Sequence, residues 1–346
     1  MRCTTWEPGM WISQLRDTAR DSVLDFTWRQ WAQMGLSVHA HAADLWAIDP
    51  EALILLTIEV ARRDPRLFDE MMDWITRNRR LLTLQRLANL GPRFPVDPAL
   101  VEAVLESTGA ARHDHRKASS DLDALDRNDL IPVFSPSVLA FVSQPDLTFA
   151  AHGFLRPRTH LSGKSGRPDV LSPACLAFRL RLLFGPGSRS EVTRILLTHR
   201  GGGLDAARIA DEAAFAKRNV ADTLAALTDA EAVVARWVGN ERIFSADQQL
   251  WVDFLSTGAS RAELPAFVSW THLLPLALHI QAWLEQEADN AGSDYLVSSR
   301  ARDLTAHLGH SLQKVGVALP PPARGSQFIP GFIRTVESVL ALLRPQ

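Results

Sequence analysis

Cysteine is almost absent from this chain. Two in 346 residues, Cys3 and Cys175, are too few for a disulfide framework or a four-thiolate metal site. That scarcity points to a reducing compartment. A surplus of positive charge is missing as well. The formal net charge is −2, which excludes a basic tail or whole-chain attraction to nucleic acid and leaves room for a local basic site. The opening "MRCTTWEPGMWISQL" lacks the basic-then-apolar order of a secretion signal. The most apolar run, Leu264–Leu284, is interrupted by His272, Pro275, His279 and Gln281, so it predicts a buried helix and not a membrane span. A cytoplasmic protein with no membrane partner is expected.

Catalytic motifs are equally scarce. "SGKSGRP" (162–168) contains the Gly-Lys-Ser of a phosphate-binding loop. It has Arg158 where that loop needs its first glycine, and no flanking apolar strand or helix. No Gly-x-Ser-x-Gly elbow and no His-Glu-x-x-His element occurs. The pairs His39/His41 and His113/His115 are two apart and would face away from each other on a helix. His307 and His310 can share a helical face, but no acid or thiol follows them at ligand spacing. The expectation is a non-enzymatic protein with no catalytic residue, no cofactor and no metal.

Helical periodicity is what the chain does have. "DPEALILLTIEVARR" (49–63) opens with Asp-Pro, a favourable helix start. "DPRLFDEMMDWITRNRR" (64–80) repeats the device, with Leu67, Met71, Trp74 and Ile75 on one stripe. "TLQRLANLGP" is a short helix stopped by Gly91-Pro92. Arg77, Arg79 and Arg80 fall near a helix end, where cations complement the carbonyl dipole. These elements predict a helical domain over 1–110. The region 111–172 reads as a linker or irregular region, polar at its start and rich in Pro, Gly and Ser at its end. Between these, "LIPVFSPSVLAFVSQPDLTF" (130–149) is able to hold short strands or a helix. Long helices are expected through a C-terminal domain, 249–346.

The segment 173–248 is the most informative. "SPACLAFRLRLLFG" reads as a helix with a Ser cap and a Gly stop. "SRSEVTRILLTH" follows, with Ser188 as cap and Glu191 as its capping-box partner. "RGGG" breaks it, and Leu204–Ala214 makes a short helix capped by Asp205, with Ile209 and Ala210 inward. A third helix from about Lys217 to Asp229 carries Val220, Leu224 and Leu227 inward, leaving Lys217, Arg218, Asn219, Asp222, Thr223 and Ala226 opposite. "AVVARWV-GN-ERIFS" reads as two strands joined at Gly239-Asn240.

Helix, short helix, longer helix and hairpin in this order resemble a winged helix-turn-helix domain of the ArsR/MarR type, over about residues 174–245. The expected fold is therefore mainly α, a multi-helix protein with an embedded winged helix-turn-helix of three helices and a two-stranded β-wing. The resemblance implies that the third helix enters the major groove of double-stranded DNA. By position it assigns Lys217, Arg218, Asn219 and Thr223 to bases and phosphates, and Arg236, Asn240 and Arg242 to the wing. It implies a transcriptional regulator working as a dimer. Metal sensors of that family use cysteine clusters that this chain lacks. The alternative is a non-catalytic, antitoxin-like scaffold that docks a partner protein through a winged helix that no longer reads DNA.

Two positions depart from the family pattern. Ala214-Phe215-Ala216 stands where Gly-apolar-Ser is usual, and Ala230-Glu231 where Ala-Gly is usual. The segment 188–245 also holds eight Lys/Arg against eight Asp/Glu, so the isolated module should attract phosphates weakly.

Overall fold

The computed structural model describes residues 10–36, 45–111, 129–135, 144–258, 261–290 and 293–345. They are mainly helical, with a small amount of sheet. The helices are α1 (Met10–Gln33), α2 (Pro50–Val60), α3 (Pro65–Asn78), α4 (Leu84–Leu90), α5 (Pro98–Ser107), α6 (Leu147–Ala151) and α7 (Leu176–Phe184). They continue with α8 (Ser188–Thr198), α9 (Ala206–Ala213), α10 (Lys217–Asp229), α11 (Gln248–Leu255), α12 (Trp270–Asp289), α13 (Asp294–Lys314) and α14 (Ile329–Ala341). The strands are β1 (Ile131–Pro132), β2 (Phe154–Leu155), β3 (Leu204–Asp205), β4 (Val234–Val238) and β5 (Glu241–Ser245). No described helix is long and apolar enough to cross a membrane.

Helix starts follow local chemistry. Asp49, Asp64 and Asp97 each precede a proline, and each carboxylate accepts from a first-turn backbone N–H (Ala52, Leu67 and Ala99). That satisfies a donor the helix cannot satisfy itself.

The chain divides into two compact units. One comprises Met1–Thr27, Arg93–Pro95 and Ser269–Gln346, and the other Trp28–Pro92 with Val96–Val268. The partition differs from the four consecutive segments expected, because packing joins stretches far apart in sequence. In the first unit, Phe26 lies 5.4 Å from Trp270 and Trp283 lies 5.0 Å from Phe332, ring centre to ring centre. Arg20 Nε meets Glu285 Oε1 at 3.2 Å.

In the second unit a buried ion network ties α2 and α4 to α7 and α8. Arg181 (α7) grips both Glu51 oxygens at 2.7 Å and Glu191 Oε1 at 2.6 Å. Arg86 (α4) clasps Asp49 with both terminal nitrogens and reaches Glu51 Oε2 at 2.9 Å. Arg194 (α8) donates to Glu191 at 3.0 Å and lies 3.5 Å from Asp49. Three guanidiniums and three carboxylates are thus buried together with no net charge. Sequence reading gave Glu191 to a capping box on Ser188. Instead α8 begins at Ser188, and Ser190 Oγ takes the N–H of Gly187 at 3.3 Å. The glutamate goes inward to meet the arginines.

This network has a pH signature. Burial by itself would raise the carboxyls of Asp49 and Glu191. Arg86 and Arg194 reverse this at Asp49, and Arg194, Arg86 and Arg181 do so at Glu191, holding both below the usual carboxylate range. A depressed folded pKa stabilises fully above the unfolded value, about 4, and the gain drains away as pH falls through the folded value. The melting temperature should therefore hold level from pH 8 to pH 5 and drop steeply below about pH 4, followed by circular dichroism. A melting temperature that rises on acidification from pH 5 to pH 3 would contradict the network's sign.

The stretch 144–172, expected as part of a linker, is anchored. Arg156 is buried over the rings of Phe149 (5.0 Å) and Phe68 (5.5 Å) and bonds Asp69, Asp146 and Thr159. The Gly-Lys-Ser loop wraps an internal carboxylate. Asp73 accepts from Gly163 N (3.0 Å), Ser165 N (3.1 Å) and Ser162 Oγ (3.1 Å). Burial would raise Asp73, and the Ser165 and Gly163 N–H groups and the Ser162 hydroxyl bring it below the ordinary value. The donors that a phosphate-binding loop would offer are occupied by the protein's own anion.

Candidate nucleic-acid interface

The segment from α8 to β5 is built around one apolar core. Val192, Ile195 and Leu196 of α8 meet Ile209, Ala210 and Ala213 of α9, and Val220, Leu224 and Leu227 of α10, with Phe244 of β5 closing it. Asp205 caps α9 as expected, its carboxylate accepting from the Ala207 and Arg208 N–H groups at 2.8 and 2.9 Å. Leu204 and Asp205 also form β3, which the sequence did not suggest, pairing antiparallel with Phe244 and Ile243. The sheet is therefore three-stranded, in the order β3-β5-β4, and not a two-stranded wing alone. Gly203 permits this close approach. Its φ is +96°, and a Cβ there would lie 2.6 Å from Ile243 Cγ2 and 2.8 Å from the Phe244 carbonyl oxygen.

The two departures noted in the sequence fall on the two strained residues of the segment. Ala214 (φ 53°) ends α9 and Glu231 (φ 56°) follows α10, both left-handed. The chain thus takes at these points the conformations for which glycine is the ordinary choice. Each costs about 1 kcal/mol or more in an L-residue.

Lys217, Arg218 and Asn219 occupy the first turn of α10, all exposed, and make no hydrogen bond or ion pair with any described residue. Their cations lie where the helix dipole is positive. Ala221, Ala225 and Ala226 continue the exposed face with small side chains, and Asp222, Asp229 and Glu231 make its far end acidic. Thr223 does not belong to this face. It is buried, and its hydroxyl meets Ser188 Oγ at 3.0 Å, so it packs α10 against α8. A helix turns about 100° per residue, so Thr223, four beyond exposed Asn219, is rotated about 40° onto the flank that meets Ser188. That contact brings exposed Arg189, next to Ser188, near α10, a cation that sequence reasoning missed.

The hairpin separates its predicted residues. Gly239 and Asn240 form a two-residue turn between paired Val238 and Glu241, with Gly239 at φ +61° and Asn240 exposed at the tip. Trp237 pairs directly with Arg242, on the face that carries buried Phe244. The Arg242 guanidinium lies 5.2 Å from the Phe244 ring centre. Arg236 points to the other face, where it donates to the Gly202 carbonyl. Lys217, Arg218, Asn219, Asn240 and Arg242 are thus available cationic or amide groups, while Arg236 is committed to the 200–203 loop. Trp237, at 71% exposure, was not foreseen. Its signal was an aromatic in a strand next to a turn, which sequence alone does not distinguish from a core residue.

Burial also shifts the charge balance. Glu191, Glu212 and Arg194 lie inside, removing two acids and one base from the surface of the segment.

The remaining histidine reading changes in part. His307 and His310 of α13 each face an imidazole of α12, His279 at 5.7 Å and His272 at 5.6 Å between ring centres. Burial, with His307 nearby, lowers His279 below the ordinary imidazole value, although its bond to the Arg93 carbonyl oxygen opposes this. His39, His41, His113, His115 and Cys3 lie outside the described residues. Cys175 is buried, and burial pushes its thiol up to about 12, so it is no nucleophile at neutral pH.

No protein-family model matches the chain, nor does any curated protein or solved structure. The reading of this surface therefore rests on its own geometry.

Proposed function

We propose that this chain is a DNA-binding transcriptional regulator whose segment 173–248 is a winged helix-turn-helix. The observation that carries the reading is the first turn of α10. Lys217, Arg218 and Asn219 project unpaired from a helix whose opposite face is locked into the core. Arginine and asparagine suit guanine and adenine edges, and a cationic helix N-terminus suits a phosphate. The sheet order β3-β5-β4 and the left-handed residues Ala214 and Glu231 support the fold half of the reading. The surface carries few cations, so two copies bound to one duplex would supply the phosphate contacts that one lacks.

Gel retardation with fragments of the protein's own locus tests this. At 50 mM salt, Arg218→Ala and Arg242→Ala should each weaken binding about tenfold, the order of one good contact, with unchanged circular dichroism. Wild-type protein that retards no fragment at low salt ends the reading.

A second reading has its own observation. Val234, Trp237 and Val238 are exposed on the hairpin. Such side chains suit a partner protein, as in an antitoxin-like scaffold. Recovery of the chain with one stoichiometric protein and no nucleic acid would favour it.

A further inference from the structure

α10 is set in place from outside the segment that contains it. The turn between α9 and α10 depends on Ala214, which is left-handed without being glycine. Ala216, which precedes α10, has no side-chain cap to offer the helix. The turn therefore lacks both of the local devices that ordinarily fix a helix start.

Two side chains of α4 stand in for them. Arg86 Nε donates to the Ala213 carbonyl at 2.9 Å, and Asn89 Nδ2 donates to the Ala214 carbonyl at 2.9 Å. They take the last two carbonyls before the chain reverses. Arg86 is itself fully buried and clasped by Asp49 and Glu51. Asn89 is steadied by Gln85, which donates to its Oδ1 at 3.0 Å.

We infer that Asn89 and Arg86 are positioning residues for α10: α4 holds the left-handed turn at Ala214 and so fixes the direction in which Lys217, Arg218 and Asn219 project. The functional half of this inference rests on the DNA reading, whereas the conformational half does not. Arg86 is a poor test, because its removal breaks the buried network. Asn89 lies at the edge, and Asn89→Ala leaves that network intact.

Two readouts on the full-length chain separate the possibilities. The first is amide hydrogen exchange at Ala214, Phe215 and Val220, whose N–H groups bond within the turn to Asp211, Ala210 and Ala216. Asn89→Ala should speed exchange there about five- to tenfold, the loss of one hydrogen bond, with the α8 amides unchanged. Adding Ala214→Gly, which takes the left-handed conformation without strain, should recover most of the protection. Unchanged exchange in Asn89→Ala overturns the inference whatever the protein binds.

The second readout is binding to own-locus and scrambled duplexes. Asn89→Ala should narrow the preference between them about fivefold while leaving the salt dependence as in wild type. A reduced salt dependence would make Asn89 a phosphate contact and overturn its positioning role. Faster exchange in a protein that binds no duplex at low salt would sustain the turn mechanism and remove the DNA reading instead.

Discussion

Glu51→Ala is expected to lower the unfolding free energy by about 3–5 kcal/mol, and the melting temperature by about 10 °C for a unit of this size. Glu51 is fully buried and accepts from Arg181 twice, from Arg86, and from the Thr83 backbone N–H at 2.8 Å. Its removal leaves two buried guanidiniums facing each other with one negative charge fewer between them. The cost is that of an uncompensated buried charge, which exceeds the worth of any surface ion pair by severalfold. Glu51→Gln should cost less, because an amide oxygen still accepts from Thr83 and one arginine. Urea denaturation of both variants measures the difference. A loss under about 1 kcal/mol for the alanine variant would mean that water enters the network and screens it.

What the sequence shows and what it hides divide along the length scale of the interaction. Asp49, Asp64 and Asp97 start helices as their Asp-Pro pairs predict, since a cap is a contact between residues two or three apart. α10 matches its expected limits, Lys217 to Asp229, and the Gly239-Asn240 turn its expected place, because helical periodicity and turn chemistry are also local. Glu51, Arg86, Arg181 and Glu191 are different. None of them is marked by the sequence as part of a buried network, and only the tertiary fold brings Glu51 to Arg86 and Arg181, across 35 and 130 positions of chain. Asp205 caps α9 as read, another local contact, whereas the pairing of Leu204-Asp205 with Phe244 and Ile243 lies beyond the reach of any local pattern.

The candidate site divides the same way. Exposure of Lys217, Arg218 and Asn219 follows from the inward stripe of Val220, Leu224 and Leu227. Thr223 was misplaced because its neighbour across the helix interface, Ser188, lies 35 residues away. Arg236 was assigned to the wing surface by position, and its bond to Gly202 depends on strand register. Ala214 shows the reverse case. Its missing glycine was visible in the sequence, but the reason the turn survives without one, Asn89 and Arg86, was not.

The largest functional effect expected is on salt dependence, and it counts the copies that bind. Of the cations assigned to the proposed surface, Lys217, Arg218 and Arg242 are exposed and engaged by no described carbonyl or carboxylate. Each neutralised phosphate contributes about −0.9 to the slope of log affinity against log salt. One copy with three contacts should lose about fortyfold in affinity between 50 and 200 mM salt, and two copies with six should lose about a thousandfold or more. Fluorescence anisotropy on one labelled duplex across that range measures the slope. A slope near −5 to −6 fits a dimer, with Lys217→Ala reducing it by about two, one phosphate per copy. A slope near −3 fits a single copy and would remove the dimer from the proposal. Binding that is measurable but indifferent to salt would mean that these cations touch no phosphate, and the α10 surface would then belong to a protein partner.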